Sequence, residues 1–320
     1  MSGLITPFLM QSAVQAITPI MLASLAGVLC GRVGVFNMAL EGQMLIGAFA
    51  AIVGSYFTQS AAGGVAAAMI AAMVFSLILA YGATLLRGDA VVICIGMNLL
   101  ASGLTAYLLR VMFGVSGTFS DPAIVSLPKL RIAWLQDIPI LGWGFGRQTI
   151  LTWAAWALVA IVSIVLFRTP LGLRLRGVGE QPDAAETLGV NVAAYRIATV
   201  IVSGALAGLA GAQLSLGAVS VFAENMSAGR GWIAVVAVML GRANPLYAAA
   251  ACVLFGFADA FSVNLQSRGL PNQLTDIAPY VVTLAALAIS HRRRTRALLP
   301  PEVAATTRGA AAEPQAPALP

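Results

Sequence analysis

Charged residues are scarce in this chain of 320 residues, since Asp, Glu, Lys and Arg together make up only 9% of it. A soluble domain carries about 25% charged residues, so a surface of this composition is unsuited to water. Hydrophobic residues make up 59% of the chain, and the mean hydropathy is +0.90. Such a surface suits lipid, where a spanning helix needs about 20 mostly apolar residues. The composition therefore argues against soluble domains and indicates one polytopic membrane unit.

Histidine and cysteine are almost missing. The one histidine, His291, lies in a basic stretch near the end of the chain, so no histidine triad, zinc cluster or haem ligation is expected among the apolar segments. The three cysteines, Cys30, Cys94 and Cys252, lie in or beside apolar runs without a paired spacing. This pattern predicts small buried side chains and no disulfide or metal site.

Motifs of enzymes and nucleotide-binding proteins are missing as well. The sequence contains no G-x-x-x-x-G-K-[ST], so we expect no ATP bound to this chain through a P-loop, and no G-x-S-x-G of a hydrolase. The net charge of +6 does not indicate nucleic-acid binding, because the arginines lie between apolar runs and in the tail. We therefore predict no enzyme activity, no catalytic residue and no cofactor in this chain.

What the chain does have is a series of long apolar runs. Those long enough to span lie at about 8–30, 37–57, 63–86, 90–113, 148–167, 196–218, 246–263 and 276–290. A shorter run at 231–241 is either a short crossing or a re-entrant helix. We predict an all-α transmembrane bundle of about eight to ten membrane helices over residues 1–296. The Ala- and Pro-rich stretch 297–320 predicts a disordered cytoplasmic tail.

The arginines predict the orientation. The stretch HRRRTR at 291–296 is strongly basic and predicts a cytoplasmic C-terminus. If 231–241 counts as a crossing, alternation also places four basic segments on the cytoplasmic side, at Arg32, Arg87, 168–196 and Arg242. The same alternation puts the N-terminus and the loop 114–147 outside.

Small residues mark candidate contacts between helices. Gly27 and Gly31 form one G-x-x-x-G pair, and Gly204 and Gly208 form another that Ala212 extends. Glycine lets two helix backbones approach closely, and packing of this kind holds helices together in lipid. Because the chain has 32 glycines, each pair is either such a contact or a chance match.

One segment, RLRGVGEQPDAAETLGVN at 174–191, is densely polar and carries five charged residues. Pro182 suits the first position of a helix, Asp183 and Glu186 favour its positive end, and Gly189 suits its left-handed cap. These residues predict a surface helix of about two turns. An isolated helix this short is unstable in water, so the segment is either docked on a cytoplasmic partner or a solvated loop.

Three blocks of sequence carry a family resemblance. GVGEQPDAAETLGVNVAAYR (177–196) resembles the cytoplasmic segment of bacterial ABC-importer permeases of the simple-sugar, nucleoside and branched-chain amino-acid class. GVFNMALEGQMLIGAFAA (34–51) and GRGWIAVVAVMLGRANPLYAAAACVLFGFADAF (229–261) are similar to its nucleoside and simple-sugar subgroup. The blocks occur in the family's order, and the resemblance covers most of residues 20–290.

The resemblance implies a permease subunit in the inner membrane that translocates a nucleoside or a simple sugar. It implies that a coupling helix docks on an ATP-hydrolysing subunit, formed by Gly179, Glu180, Gln181, Pro182, Asp183, Ala184, Ala185, Glu186 and Gly189. Its expected partners are membrane lipid, two ATP-binding cassette subunits, a second and different permease chain, and an external substrate-binding lipoprotein. ATP would be bound by the partner subunits.

The block at 34–51 places polar residues beside an apolar run. Asn37 and Glu41 are four residues apart and predict one shared helical face, from which Gln43 points away. A carboxylate in such a run needs a partner or a wet cavity. Two interpretations stay open: a polar patch at the translocation path or subunit contact, and a pair between Glu41 and Arg32 that closes a helix end.

The block near 229–261 raises the same question. If its start dips into the membrane from outside, Glu224, Asn225 and Arg230 lie near an outer gate, where ordinary loop polarity is the alternative. Asp259 lies within an apolar run, and we expect it to form a hydrogen bond between helices. An ion-coupled secondary transporter is the alternative function, but Glu41 and Asp259 are its only strong candidate ion ligands.

Overall fold

The computed structural model of the protein describes residues 7–131 and 144–266. Its helices are α1 (Pro7–Arg32), α2 (Leu40–Thr58), α3 (Ala61–Thr84), α4 (Ala90–Phe113), α5 (Ile150–Arg168), α6 (Pro170–Glu180), α7 (Pro182–Thr187), α8 (Val192–Ala212), α9 (Arg230–Leu240) and α10 (Pro245–Gln266). Within the described ranges seven helices are long and apolar enough to cross a membrane, namely α1 to α5, α8 and α10. The predicted helical membrane bundle is therefore confirmed. The predicted crossing at 276–290 and the tail at 297–320 lie outside the described residues.

Two short antiparallel ladders join the connections between helices. Strand β1 (Thr118–Phe119) pairs with β4 (Phe222–Ala223), and β2 (Lys129–Arg131) pairs with β3 (Arg147–Thr149). The first ladder brings together segments about a hundred residues apart, and the second joins two ends of one connection. The β1–β4 ladder ties the long connection after α4 to the segment before α9, and the β2–β3 ladder closes that connection on itself just before α5.

Local capping sets several helix ends. The Asp89 carboxylate accepts hydrogen bonds from the backbone N–H groups of Val91 and Val92 and so caps α4. Gly114, with φ of 67°, ends the same helix in the left-handed conformation. Asn191 caps α8 by accepting from the N–H of Ala194. These ends lie within a few residues of the limits of the apolar runs.

The connections gather at two ends of the bundle. The arginine-rich end, as we call it, comprises the connections 33–39, 85–89, 169–191 and 241–244. There Arg32 Nε donates to the carbonyl oxygen of Ala243 at 2.6 Å, and Arg196 Nε donates to that of Val33 at 3.1 Å. The opposite end comprises the β1–β4 ladder and the connection after α4.

The chain from 222 to 243 crosses between these two ends without forming one continuous helix. It leaves β4 at the opposite end, runs through turns to Gly229, and continues as the 11-residue helix α9 toward Ala243 at the arginine-rich end. Backbone hydrogen bonds satisfy the turn region, among them Glu224 N–H to Gly117 O at 2.8 Å and Arg230 N–H to Ser227 O at 3.0 Å. The shorter apolar run is thus a broken crossing, of the kind tolerated only inside protein or beside a wet cavity.

Close contacts of small residues build the centre of the bundle. In α8, Gly204 packs on Ala72 and Ser76 of α3, while Gly208 lies against the backbone of Ala68 in α3 and of Gly47 in α2. A Cβ added at Gly208 would collide with the carbonyl oxygen of Ala68, and one added at Gly47 would lie 2.7 Å from Cα of Gly208. The glycine stripe predicted in α8 is therefore a helix contact.

The other predicted pair packs against the broken crossing. Gly27 lies against Val238 of α9, and Gly31 lies against Ala243 in the connection that follows. This pair is thus also a contact site. Large apolar side chains point away from the bundle on α3, including Ile70, Val74 and Ile78, as expected for a helix that faces lipid.

We predict that Gly208→Ala lowers the free energy of unfolding by about 1–3 kcal/mol, because the new methyl group overpacks the contact of α8 with α3. The thermal midpoint of the purified protein in detergent measures the effect. Gly103→Ala in α4 is the matched control, because a Cβ there meets no atom within 4 Å. Equal midpoints for the two variants would contradict the prediction.

Candidate functional site

A cavity of about 470 Å³ lies between α1, the segment 213–230 and α10. Its wall is mostly apolar, with Leu214, Val219, Val221 and Val263 among its members. Polar atoms come from Ser12 and Gln15 on α1 and from a charged pair, Arg230 and Asp259. The volume lies within the range of about 300–1,000 Å³ that is typical of ligand pockets.

Arg230 and Asp259 form an ion pair on the cavity wall. Arg230 Nη2 lies 3.5 Å from Asp259 Oδ2, and Nη1 donates to the carbonyl oxygen of Met226, also at 3.5 Å. The two charged side chains are 28% and 19% exposed. Within residues 7–131 and 144–266, which the structure describes, this is the only ion pair. The bond between helices expected for Asp259 is present, and its partner is the first residue of α9.

Glu41 lies on the other side of Arg230. Its Oε1 accepts from the N–H of Gly229 at 2.8 Å, and its Oε2 accepts from the N–H of Gly231 at 2.7 Å. One carboxylate therefore satisfies two N–H groups at the positive end of α9, an arrangement that stabilises the helix end. A Cβ at Gly231 would lie 2.5 Å from the backbone of Glu41, so glycine permits this approach.

The predicted pair between Glu41 and Arg32 is wrong. Arg32 instead donates to the Ala243 carbonyl and stacks on the ring of Phe167, with its guanidinium carbon 5.2 Å from the ring centroid. Glu41 does close a helix end, as that interpretation held, but it is the end of α9. The sequence separation of 188 residues between Glu41 and Gly229 hides this partner.

Asn37 and Glu41 do not share a helical face. Asn37 precedes α2, which begins at Leu40, and its Oδ1 accepts from the N–H of Ala39 at 2.9 Å. Its Nδ2 donates to Gln43 Oε1 at 3.1 Å, so Gln43 is its partner. Asn37 and Gln43 are both buried, and neither lines the cavity.

Cys30 and Cys94 lie beside this buried polar cluster, and Cys252 lies between α10 and α1. Cys30 Sγ donates to Ser203 Oγ at 2.9 Å, and the N–H of Met38 donates to Cys94 Sγ at 3.3 Å. Cys252 bonds to Ser24 at 3.1 Å. All three cysteines are buried and free, and no metal-ligating cluster occurs among the described residues.

Glu224 and Asn225 fasten the entry to the broken crossing. Glu224 Oε1 accepts from the N–H of Gly117 at 2.9 Å, and Asn225 Oδ1 accepts from the hydroxyl of Ser102 at 3.2 Å. The cavity wall includes their neighbours Ala223 and Met226. The structure thus places Glu224 and Asn225 beside the cavity, on contacts with α4 and its following loop.

The polar segment at the arginine-rich end forms two short helices. Pro170 begins α6 after the Thr169 cap, and Pro182 begins α7 after the bend at Gln181. Gly189 has φ of 79° after α7, so the predicted surface helix and its stop are confirmed. The Thr169–Pro170 sequence is the start signal that our sequence analysis did not use for α6.

The surface of α6, α7 and the cap residue Leu188 carries exposed apolar and charged side chains. Leu188 is 84% exposed and Leu173 is 64% exposed. Ala185 is buried, while Glu186 and Asp183 are exposed. At the edge of α6, a hydrogen bond from Arg174 to the hydroxyl of Tyr195 raises the pKa of that guanidinium above its ordinary value.

The segment is attached firmly to the end of α1. Gly179 in α6 lies directly on the carbonyl oxygen of Arg32, where an added Cβ would collide. The guanidinium groups of Arg32 and Arg176 both lie over the ring of Phe167, at 5.2 and 5.3 Å from its centroid. Such cation–π contacts stabilise the arrangement. These contacts hold α6 against the end of α1.

Sequence reasoning missed a buried polar chain behind the cavity. Thr18 donates to Thr152, which bonds to Thr149, and Thr149 donates to Gln213 at 2.8 Å. Gln213 begins a π-helical turn over 213–219, a form of helix frequent at functional sites. Threonines within apolar runs gave no separate signal in the sequence.

Membrane helices, a broken crossing beside a cavity with a charged pair on its wall, and a two-helix segment on the arginine-rich end are features of a membrane transport protein. The comparisons give the family. The model for "branched-chain amino acid transport system / permease component" matches residues 9–287, and the chain therefore belongs to this family of ABC transporter permeases. Such a permease is a transport subunit, and membership favours ATP-driven transport over the ion-coupled alternative.

Two curated relatives and one solved structure are similar to the chain. It is 36% identical to the guanosine ABC transporter permease protein NupQ of Bacillus subtilis, over 84% of this chain and 87% of NupQ. It is 37% identical to the nucleoside ABC transporter permease protein NupC of Lactococcus lactis, over 85% and 88% of the two chains. An inward-facing putative metal-chelate type ABC transporter matches with a TM-score of 0.53 and 16% identity, over 87% and 85% of the chains, which supports the fold alone.

We predict that Glu41→Gln destabilises the protein by about 1–3 kcal/mol, because an amide has one acceptor oxygen for two N–H groups and carries no charge at the start of α9. Thermal unfolding in detergent measures the loss. Glu224→Gln is the control, since its side chain accepts a single N–H, which an amide oxygen also accepts. A midpoint for Glu41→Gln equal to that of the control would refute the proposed cap.

Proposed function

We propose that this chain is the permease subunit of a bacterial inner-membrane importer that carries nucleosides, driven by two separate ATP-binding cassette subunits. Family membership supports the transport role. The names of two relatives at 36% and 37% identity, a guanosine permease and a nucleoside permease, support the substrate class. A simple sugar, the other class that the sequence blocks imply, is the competing outcome of the transport experiment below.

The observation that carries the proposal is the placement of α1. At one end Arg32 is joined to α6, and nearer the other end Ser12 and Gln15 line the cavity. A helix of 26 residues is about 39 Å long, and α1 continues through Pro19 from the cavity wall to Arg32. A force on α6 from closing ATPase subunits therefore shifts a wall of the cavity.

The segment from Gly179 to Gly189 is the proposed docking surface for an ATPase subunit. Leu188 supplies an exposed apolar anchor, and Asp183 and Glu186 supply exposed acidic groups beside it. Interfaces depend on a few buried anchors within a polar surrounding. A groove of the ATPase that covers Leu188 would remove its apolar surface from water.

Further partners follow from the same proposal. A second permease, in our proposal a different chain, completes the path, and a substrate-binding lipoprotein delivers the nucleoside at the opposite end. The C-terminus then lies in the cytoplasm together with the arginine-rich end, in keeping with the excess of arginine there. ATP is bound by the ATPase subunits.

Uptake by the whole transporter in proteoliposomes tests the function. We expect guanosine to enter only when ATP is present on the ATPase side, in the absence of any ion gradient. Entry driven by an ion gradient alone would refute the proposal, and transport of a pentose in place of guanosine would replace the nucleoside class by simple sugars.

We predict that Leu188→Asp lowers ATP-dependent uptake by about tenfold, because loss of a central apolar contact costs roughly 1–2 kcal/mol of docking energy. Binding of purified ATPase subunits to the detergent-solubilised permease checks the cause. Leu86→Asp is the control, since Leu86 is 80% exposed in another connection of the arginine-rich end. Equal uptake by the two variants would argue against docking at Leu188.

We predict that Gly179→Ala uncouples the transporter, because the new methyl group separates α6 from the Arg32 carbonyl. ATP hydrolysis should continue while uptake falls by about tenfold or more, a loss of roughly 1.4 kcal/mol in coupling. Gly177→Ala in the same helix is the control, because a Cβ there meets nothing within 4 Å. Full uptake with Gly179→Ala would show that α6 does not act through α1.

A further inference from the structure

The ion pair of Arg230 and Asp259 joins α9 to α10 and also faces the cavity. Both side chains remain partly exposed to the cavity, at 28% for Arg230 and 19% for Asp259. Ionisable groups within membrane segments are costly, and they usually face a wet path and mark the route of a substrate. Partial exposure keeps the desolvation cost of the two charges small and leaves both side chains accessible from the cavity.

The contact with Arg230 involves one of the two carboxylate oxygens of Asp259. Arg230 meets only Oδ2, at 3.5 Å and end-on. No described residue donates a hydrogen bond to Oδ1 of Asp259. A long single contact between partly exposed groups contributes little to stability, so a hydroxyl group of a solute can enter beside it at small cost.

The surroundings of the pair restrict the kind of solute. The charges of Arg230 and Asp259 compensate each other, and Leu214, Val219 and Val263 provide an apolar wall. An uncharged solute with a flat apolar face and hydroxyl groups fits this combination. A phosphate group would meet repulsion from Asp259, and no second cation lines the described part of the cavity.

We propose that Asp259 accepts hydrogen bonds from two vicinal hydroxyl groups of a pentose, while Arg230 compensates its charge and the base ring lies on the apolar wall. A carboxylate has two oxygens with acceptor sites that suit such a pair of donors. The proposal rests on the proposed function and deepens it, since it makes the permease itself read the sugar of the nucleoside. Glu41 is then a positioning residue, because its two hydrogen bonds flank Arg230.

The test compares guanosine with 2′,3′-dideoxyguanosine in proteoliposomes that contain the whole transporter, ATP and saturating binding protein. At saturation the external protein's affinity affects KM, and the permease step affects Vmax. We expect a higher Vmax for guanosine in the unaltered transporter. Asp259→Asn should lower that Vmax by about tenfold, the factor for losing one hydrogen bond to a charged group, and should abolish the difference between the two solutes.

Three further variants keep the outcome interpretable. Asp89→Asn is the matched control, because Asp89 lies on the surface at the arginine-rich end and asparagine caps α4 equally well. Asp259→Glu keeps the carboxylate and should retain the preference for guanosine. If Asp259→Asn fails to reach the membrane, the exchange of Arg230→Asp with Asp259→Arg restores the pair, and we expect it to restore the protein level without the preference.

Two results would overturn the inference. One is an unchanged preference for guanosine with Asp259→Asn at a normal protein level, and the other is equal Vmax for both solutes in the unaltered transporter. Failure of the unaltered transporter to move either solute with ATP would instead refute the proposed function. The two failures are therefore distinguishable.

Discussion

The carboxylate of Glu41 is the interaction on which the described site depends. It receives the N–H groups of Gly229 and Gly231, and so holds the beginning of α9 inside the bundle. Without an acceptor there, N–H groups at the start of a broken crossing would lie in a medium that offers no water, at a cost of several kcal/mol each. Because α9 begins at this point, Arg230 projects to the cavity wall and meets Asp259 of α10. Glu41 therefore fixes the start of α9, and this position brings Arg230 to Asp259.

Close backbone contacts connect the other helices to Glu41 and to the cavity. Glycines 204 and 208 bring α8 against α3 and α2, and α2 carries Glu41. Helix α1 packs on α9 through Gly27, holds α6 through the contact of Arg32 with Gly179, and supplies one wall of the cavity. We propose that a displacement at the arginine-rich end reaches the cavity through these packed backbones, because close-packed interiors have low compressibility and transmit strain.

Several features could be read directly from the sequence, and the reason is that they depend on neighbours in the chain. The seven long helices follow the apolar runs, and α7 begins at Pro182 and ends before Gly189. The prediction for Asn37 failed because helical spacing was assumed ahead of α2. An asparagine that accepts from its own backbone two residues on, as Asn37 does from Ala39, favours a turn over a helix.

The sequence by itself determined three properties of this protein. It is a membrane protein, its helices span at the apolar runs, and the polar segment at 174–191 lies on the surface. Hydropathy, capping and turn preferences depend on residues a few positions apart, so they can be predicted from the sequence alone. Only the tertiary structure decided that Glu41 serves α9 and not Arg32, that Arg230 pairs with Asp259, and that α6 is fixed to α1. These partners are up to 190 residues apart, and their meeting depends on which small-residue faces pack together, a property of the whole bundle.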